Sequence, residues 1–189
     1  MAIPRLETER LILRGFRDED REPFAALNAD PEVMRFMSRP LDRARSDAFF
    51  ERIALHWAAD GFGIWALERR DDGAFLGFVG LAEPVFAAHF TPALEVGWRL
   101  ARFAWGHGYA TEAGAAALRF GFEDLGRDEI VSYTAIANMR SRRVMERLGM
   151  THDPADDFDY PLVAPDHPVR RQVLYRLTHE GWKASVASG

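Results

Sequence analysis

The stretch Trp105-Gly106-His107-Gly108-Tyr109-Ala110-Thr111 gathers the residue types best suited to holding an anion. Gly106, Gly108 and Ala110 keep side chains out of the way, so backbone N–H groups can converge on a ligand. A helix starting just beyond adds its free N-terminal amides and the positive end of its dipole. A pyrophosphate fits such a cradle. The spacing is not the Rossmann G-x-G-x-x-G, which needs a third glycine, nor a P-loop, which needs Gly-Lys followed by Ser or Thr. On residue types alone, a tight turn with positive φ at Gly106 or Gly108 stays open as the other reading.

Asn138 and Ser141 stand three apart, hence on one face of a helix, and both carry short polar groups. Asn138 is equally a residue that caps helices well. Arg140, Arg142 and Arg143 follow on the same helix, where a phosphate or plain solvent could meet them. Further on, Asp153, Asp156, Asp157 and Asp159 interleave with Phe158 and Tyr160. Carboxylates and aromatic faces can hold a cation, or simply form a solvated acidic loop. Trp57, Phe62 and Trp65 could line an apolar wall, although such residues usually form core. The six His are scattered without ligand spacing, so no metal site is expected.

These residues need elements to position them. Arg10–Arg14 reads as a strand, and Asp18-Glu19-Asp20 starts a helix running to about Leu27, with a short helical piece opening at Pro31. Phe49, Phe50, Ile53, Ala54 and Trp57 share a helical face between Ser46 and Asp60, and Gly61 stops it. Phe62–Glu68 and Phe75–Leu81 are strands around the turn signal Asp72-Gly73. In Leu94–Leu100, Leu94, Val96, Trp98 and Leu100 face one way and Glu95 and Arg99 the other. Helix Thr111–Leu125, strand Ile130–Ala135, helix Met139–Leu148 and strand Gln172–Leu177 complete the order, with long loops at 84–92 and 153–167. No repeat or linker divides the chain, so a single mixed α/β (or α+β) domain over residues 1–189 is expected.

The chain has 189 residues, 48% of them apolar, enough for a full core. With 24 Lys and Arg against 29 Asp and Glu, the formal charge is −5. That balance argues against a nucleic-acid partner. Cysteine is absent, which removes disulfides, thiolate metal sites and a cysteine nucleophile. Met1-Ala2-Ile3-Pro4-Arg5-Leu6-Glu7 lacks the basic and apolar regions of a signal peptide, and no apolar run is long enough to span a membrane. A cytoplasmic protein with no membrane partner is the expectation.

The sequence resembles the GNAT superfamily of N-acetyltransferases, and within it the RimJ/RimL-like branch. Thr8-Glu9-Arg10-Leu11 with Leu13-Arg14 is similar to the branch's opening strand, and Asp30-Pro31-Glu32-Val33-Met34 to its early helix. Glu95-Val96-Gly97-Trp98 resembles the strand before the phosphate loop. The loop itself, with Trp105 where the superfamily carries Gln or Arg, looks like the branch's Trp-Gly-x-Gly-Tyr-Ala-Thr-Glu form. Asn138-Met139-Arg140-Ser141 with Leu148-Gly149 matches its Asn-x-x-Ser helix, and Leu174-Tyr175 with Leu177-Thr178 its closing strand. The likeness runs in order through nearly the whole chain.

The resemblance implies a mixed, mostly antiparallel central sheet flanked by helices, with a V-shaped split between the fourth and fifth strands. Acetyl-CoA would be the co-substrate, with no metal. Its pantetheine arm would pair with the backbone of Trp98, Arg99 and Leu100. Its pyrophosphate would sit on Trp105, Gly106, His107, Gly108, Tyr109, Ala110 and Thr111, with Asn138, Ser141 and Arg143 completing the cofactor set. Glu95 would act as general base, directly or through water, and Ser141 would return a proton to the departing thiolate. His89 and His107 are rivals for the base. Transfer would be direct, in a ternary complex, with backbone amides stabilising the oxyanion. The acceptor would be an amine, either a small molecule or a protein N-terminus. A non-catalytic acyl-CoA-binding module is the alternative of another class, and a homodimer stays open.

Overall fold

The computed structural model describes residues 3–187. Met1, Ala2, Ser188 and Gly189, at the ends of the expected domain and of the segment read for a signal peptide, lie outside the described residues. Alternating burial builds the strands. Leu11 and Leu13 are fully buried in β2 (Leu11–Arg14), and Leu94, Val96 and Leu100 are buried in β5 (Leu94–Leu100). The sheet also contains β1 (Leu6–Glu7), β3 (Ile64–Arg69), β4 (Phe75–Ala82), β6 (Glu129–Ala135), β7 (Thr151–His152), β8 (Phe158–Asp159) and β9 (Arg171–Thr178). Its order is β1-β2-β3-β4-β5-β6-β9-β7, with β8 also on β9.

Among these pairings, β5 with β6 alone is parallel. It extends over just Leu94↔Ile130 and Glu95↔Val131. Beyond Glu95 the ladder ends, so the expected split between the fourth and fifth predicted strands lies here between β5 and β6. Glu95 and Ser141, from the two sides, line a cavity beside this opening.

Among the described residues five α-helices flank the sheet: α1 (Arg21–Ala29), α2 (Arg43–Asp60), α3 (Tyr109–Arg119), α4 (Met139–Arg147) and α5 (His179–Ala187). Asp42 caps α2 by accepting from the Arg45 N–H, and Gly61 ends it with φ 74°. Small residues Ala113, Ala116 and Ala117 let α3 approach β2, β4 and β5 closely and bury the Val96 and Leu100 face. The opposite face is covered by α1 and α2, whose Phe24 and Phe49 rings pack 5.8 and 5.9 Å from Phe78 of β4. Trp57, Phe62 and Trp65 are core here, not a ligand wall.

Several expectations are corrected. No helix follows Pro31: the Asp30 carboxylate accepts from the Glu32 N–H at 2.8 Å and the Val33 N–H at 3.4 Å, and the segment closes as turns. Helix α3 starts two residues early, at Tyr109. It stops at Arg119, where Phe120–Asp124 widens into a π turn closed by the Leu125 N–H on the Phe120 carbonyl. The α5 helix, unforeseen in the sequence, is held by Phe122 stacking on His179 and Trp182.

Candidate active site

The glycine loop leads from β5 into α3. Gly106 and Gly108 have φ of 81° and 82°, so both require the left-handed region. A side chain at Gly106 would point into open space, so backbone shape and not packing selects glycine there. Gly108 is the N-cap of α3 and supplies no side chain, which leaves the first amides of the helix uncapped. The Thr111 hydroxyl in this first turn is buried and has no hydrogen-bond partner. Uncapped amides and an orphaned hydroxyl together form a set of donors and an acceptor suited to a phosphate-bearing ligand.

The loop is fastened from the opening strand. Glu112 accepts from the Thr8 hydroxyl at 2.6 Å, the Arg10 N–H at 2.9 Å and the Arg10 Nε at 2.7 Å. Arg10 also donates to the His107 carbonyl at 3.0 Å and lies over the Tyr109 ring at 4.9 Å. Burial raises the Glu112 pKa, but the Thr8 and Arg10 hydrogen bonds outweigh it and the net shift is downward. Tyr109 packs against His107, their rings 5.4 Å apart. Trp105 donates its indole N–H to the Leu100 carbonyl at 2.8 Å, and Arg140 lies 4.2 Å over its ring. Arg10 and Glu112 were not singled out from sequence as site residues. Their signal was the Thr8-Glu9-Arg10 and Thr111-Glu112 motifs, which this clamp explains together.

Asn138 caps α4, accepting from the Ser141 N–H at 3.3 Å. Its amide donates to the Thr134 hydroxyl at 2.9 Å and to the Ser141 hydroxyl at 3.1 Å. The capping reading of Asn138 therefore holds. The Ser141 oxygen accepts from that amide, which leaves its own proton to point elsewhere. Arg142 donates to the Tyr175 hydroxyl at 3.3 Å and the Ile136 carbonyl at 3.2 Å. Arg143 is exposed, with no ion pair or hydrogen bond among the described residues.

A cavity of about 190 Å³ opens beside the split. Glu95 and Arg99 are the charged side chains lining it among the described residues. Burial pushes the Glu95 carboxyl up to about 7, and the Tyr133 hydroxyl facing it pulls the other way. Tyr133 stands two residues beyond Val131, the β6 partner of Glu95, on the same face. Its hydroxyl is itself raised by burial and by the nearby carboxylate. Sequence reading missed Tyr133, because only the parallel register brings it beside Glu95.

Arg99 departs from expectation. The Ala101 N–H donates to the Leu76 carbonyl, and Leu100 stands opposite Gly77. The alternation of an antiparallel ladder then turns the backbone groups of Arg99 to β4 and those of Trp98 and Leu100 to the split. Arg99 thus loses its expected backbone role toward a cofactor, and its side chain enters the cavity instead. There it donates to the Asn28 side-chain oxygen at 2.5 Å and lies 5.1 Å over Phe78. Its Nε is buried without a partner, and burial lowers the guanidinium to about 10.

The acidic loop does not reach the cavity as free charge. Asp156 binds Arg176 at 2.6 Å and His89 at 3.3 Å, Asp157 binds His152 at 2.7 Å, and Asp159 meets Arg170 and Arg171 at 3.4 Å. Asp153 accepts from the Ala155 N–H at 2.9 Å. Phe158 and Tyr160 pack with Phe86, Phe90 and Tyr133. The rival His89 is held by Asp156, and His107 by Tyr109. A more open hollow of about 400 Å³ between Glu83 and Glu129 lies at the paired end of the split, away from the loop. No metal-binding group of His, Asp or Glu occurs among the described residues, and no described helix is long and apolar enough to cross a membrane.

The sequence pattern of the acetyltransferase (GNAT) domain family matches residues 10–151. The FsC-acetyl coenzyme A-N(2)-transacetylase of Aspergillus fumigatus is 34% identical over 197 aligned residues, covering 96% of this chain and 79% of that protein. The crystal structure of an acetyltransferase from Agrobacterium tumefaciens str. C58 matches with a TM-score of 0.75 at 30% identity, over 94% of this chain and 95% of its own. A GNAT-family acetyltransferase from Bacillus anthracis shares the fold, with a TM-score of 0.76 at 22% identity over 94% and 99% of the two chains.

Proposed function

Because the chain belongs to the GNAT acetyltransferase family, we propose that it takes its acetyl group from acetyl-CoA and delivers it to a primary amine within one domain. The relative named as an acetyl coenzyme A-N(2)-transacetylase supports that donor and a nitrogen acceptor. In this reading Trp105, Gly106, His107, Gly108, Tyr109, Ala110 and Thr111 receive the pyrophosphate on amides and the Thr111 hydroxyl. Trp98 offers both backbone groups to the pantetheine arm. Leu100 offers its N–H, its carbonyl being held by Trp105. Arg143, exposed and unpaired, is available to the 3′-phosphate.

When bound, acetyl-CoA supplies an acetyl group activated as a thioester. Glu95 takes the proton of the acceptor amine, directly or through water, while the Tyr133 hydroxyl holds its carboxylate in place. A carboxyl poised near neutral pH suits that task better than an ordinary one, since it is basic enough to accept and still ionised in part. Asn138 orients Ser141, whose free proton goes to the departing sulfur. Backbone N–H groups of β5 that face the split stabilise negative charge on the carbonyl oxygen.

The observation that carries this reading is the Glu95 carboxyl, raised to about 7 at the point where β5 and β6 part. Thiol release from acetyl-CoA, measured against amino acids, polyamines, aminoglycosides and N-terminal peptides, tests it. Turnover with a small amine is expected. Acetyl-CoA binding with no turnover on any amine would overturn it in favour of a binding module.

A further inference from the structure

The cavity is a trough whose floor is set by strand register. Ala82 faces Glu95, Gly80 faces Gly97 and Phe78 faces Arg99 across β4 and β5. The two charged side chains therefore stand at opposite ends, their Cα atoms about 13 Å apart along the strand. Between them lie glycines. Gly80 is hemmed in, since a Cβ there would meet the Ile64 Cα at 2.5 Å. Gly97 is not: a Cβ would meet the Glu95 Oε1 at 3.6 Å, an ordinary contact. Packing does not demand glycine at 97, and its effect is to leave the trough open.

Arg99 is the unusual group. It has no carboxylate partner and makes no ion pair with Glu95 among the described residues. Its one protein hydrogen bond goes to a neutral amide. A buried guanidinium is ordinarily matched by an anion, because desolvation without one is costly. Asn28 is fully buried and tethered to Ser46 at 3.0 Å, so it holds Arg99 in place without neutralising it.

Resting on the reading of this trough as the acceptor side of the transferase, we propose that Arg99 binds a carboxylate carried by the acceptor itself. The acceptor is then an amino-acid-like zwitterion, its amine toward Glu95 and its carboxylate toward Arg99. One cation at one end suits a single negative charge, whereas a phosphate dianion would call for more donors. A protein N-terminus, whose first carboxyl is an amide, presents no such group.

Thiol release from acetyl-CoA with glycine, lysine and phenylalanine against their amides tests the proposal. On intrinsic reactivity the amides, whose amines deprotonate more readily, would win. The expected result is that at least one acid exceeds its amide by about tenfold in kcat/KM, the worth of one charge-assisted hydrogen bond. Arg99→Met abolishes that preference with acetyl-CoA affinity unchanged, and Arg99→Lys retains part of it. Asn28→Asp places a carboxylate against the guanidinium and also removes the preference, which carries the test if Arg99→Met fails to fold. Amides accepted as well as acids throughout, or a preference surviving both Arg99→Met and Asn28→Asp, overturns the carboxylate proposal and leaves the acetyltransferase reading intact. No thiol release from any of the six likewise overturns the carboxylate proposal, whereas the acetyltransferase reading falls only if acetyl-CoA binds and polyamines, aminoglycosides and N-terminal peptides also give no release.

Discussion

The loop after β5 and the trough on β5 are adjacent in sequence and opposite in construction. At Trp105–Thr111 nearly every side chain is answered within the protein: Trp105 by Leu100 and Arg140, His107 and Tyr109 by each other and Arg10, Glu112 by Thr8 and Arg10. What remains free is backbone, the uncapped amides of α3, with one hydroxyl on Thr111. In the trough the unanswered groups are the charges of two side chains, each held by a neutral neighbour: Glu95 by Tyr133 and Arg99 by Asn28. Glu95 has no cation and Arg99 no anion. In the proposed reading, the co-substrate is met by main chain and the acceptor by side chains whose charges the protein leaves uncompensated.

The largest expected effect falls on the trough. Glu95→Gln should lower kcat by about 10²–10⁴-fold while acetyl-CoA affinity, read by calorimetry, holds. An equal loss of affinity would mean the two regions are not separable. On the loop side, Gly108→Val forces a β-branched residue to φ 82° and sets its Cβ near Arg10. Acetyl-CoA affinity should fall by about 100-fold, and retained affinity would contradict the cradle. Ser141→Ala should lower kcat by roughly ten- to a hundredfold at unchanged affinity. Glu112→Ala releases Thr8 and Arg10 together, costing about 1–3 kcal/mol of stability in denaturant melts and weakening acetyl-CoA binding with it. A stability loss with full affinity would show that the clamp serves the fold alone.

The last effect falls on stability alone, as a dependence on pH. The Glu95 pKa is raised by burial from 4.5 to about 7, so the folded state holds a proton that the unfolded state has lost. Its stabilising contribution is complete below the unfolded value and is lost as pH rises through the folded one. Between about pH 5 and pH 8 the wild type should lose about 2.5 kcal/mol, or roughly 5–10 °C in Tm, relative to Glu95→Gln. Parallel melting curves would show that Glu95 is ordinary.

The sequence made the loop and most elements legible because their signals are local: glycines for positive φ, alternation for β5, an Asn three residues before a Ser for α4. It failed where distant residues decide. Arg99 was read for its backbone, but pairing with β4 takes that backbone and turns the side chain into the trough. Tyr133 reaches Glu95 only through the short parallel register. The acidic loop invited a cation site because its partners Arg170, Arg171 and Arg176 lie on β9 and the strand's approach. Helix α5 lacks a strong apolar face of its own and is held by Phe122, from the π turn after α3.

The pH dependence of kcat in wild type and Glu95→Gln tests the central claim most directly. With a saturating amine acceptor, the wild-type rate should rise to a plateau through an apparent pKa near 7, and the variant should lose that step. A wild-type profile without a break near 7, or the same break retained in Glu95→Gln, would contradict it.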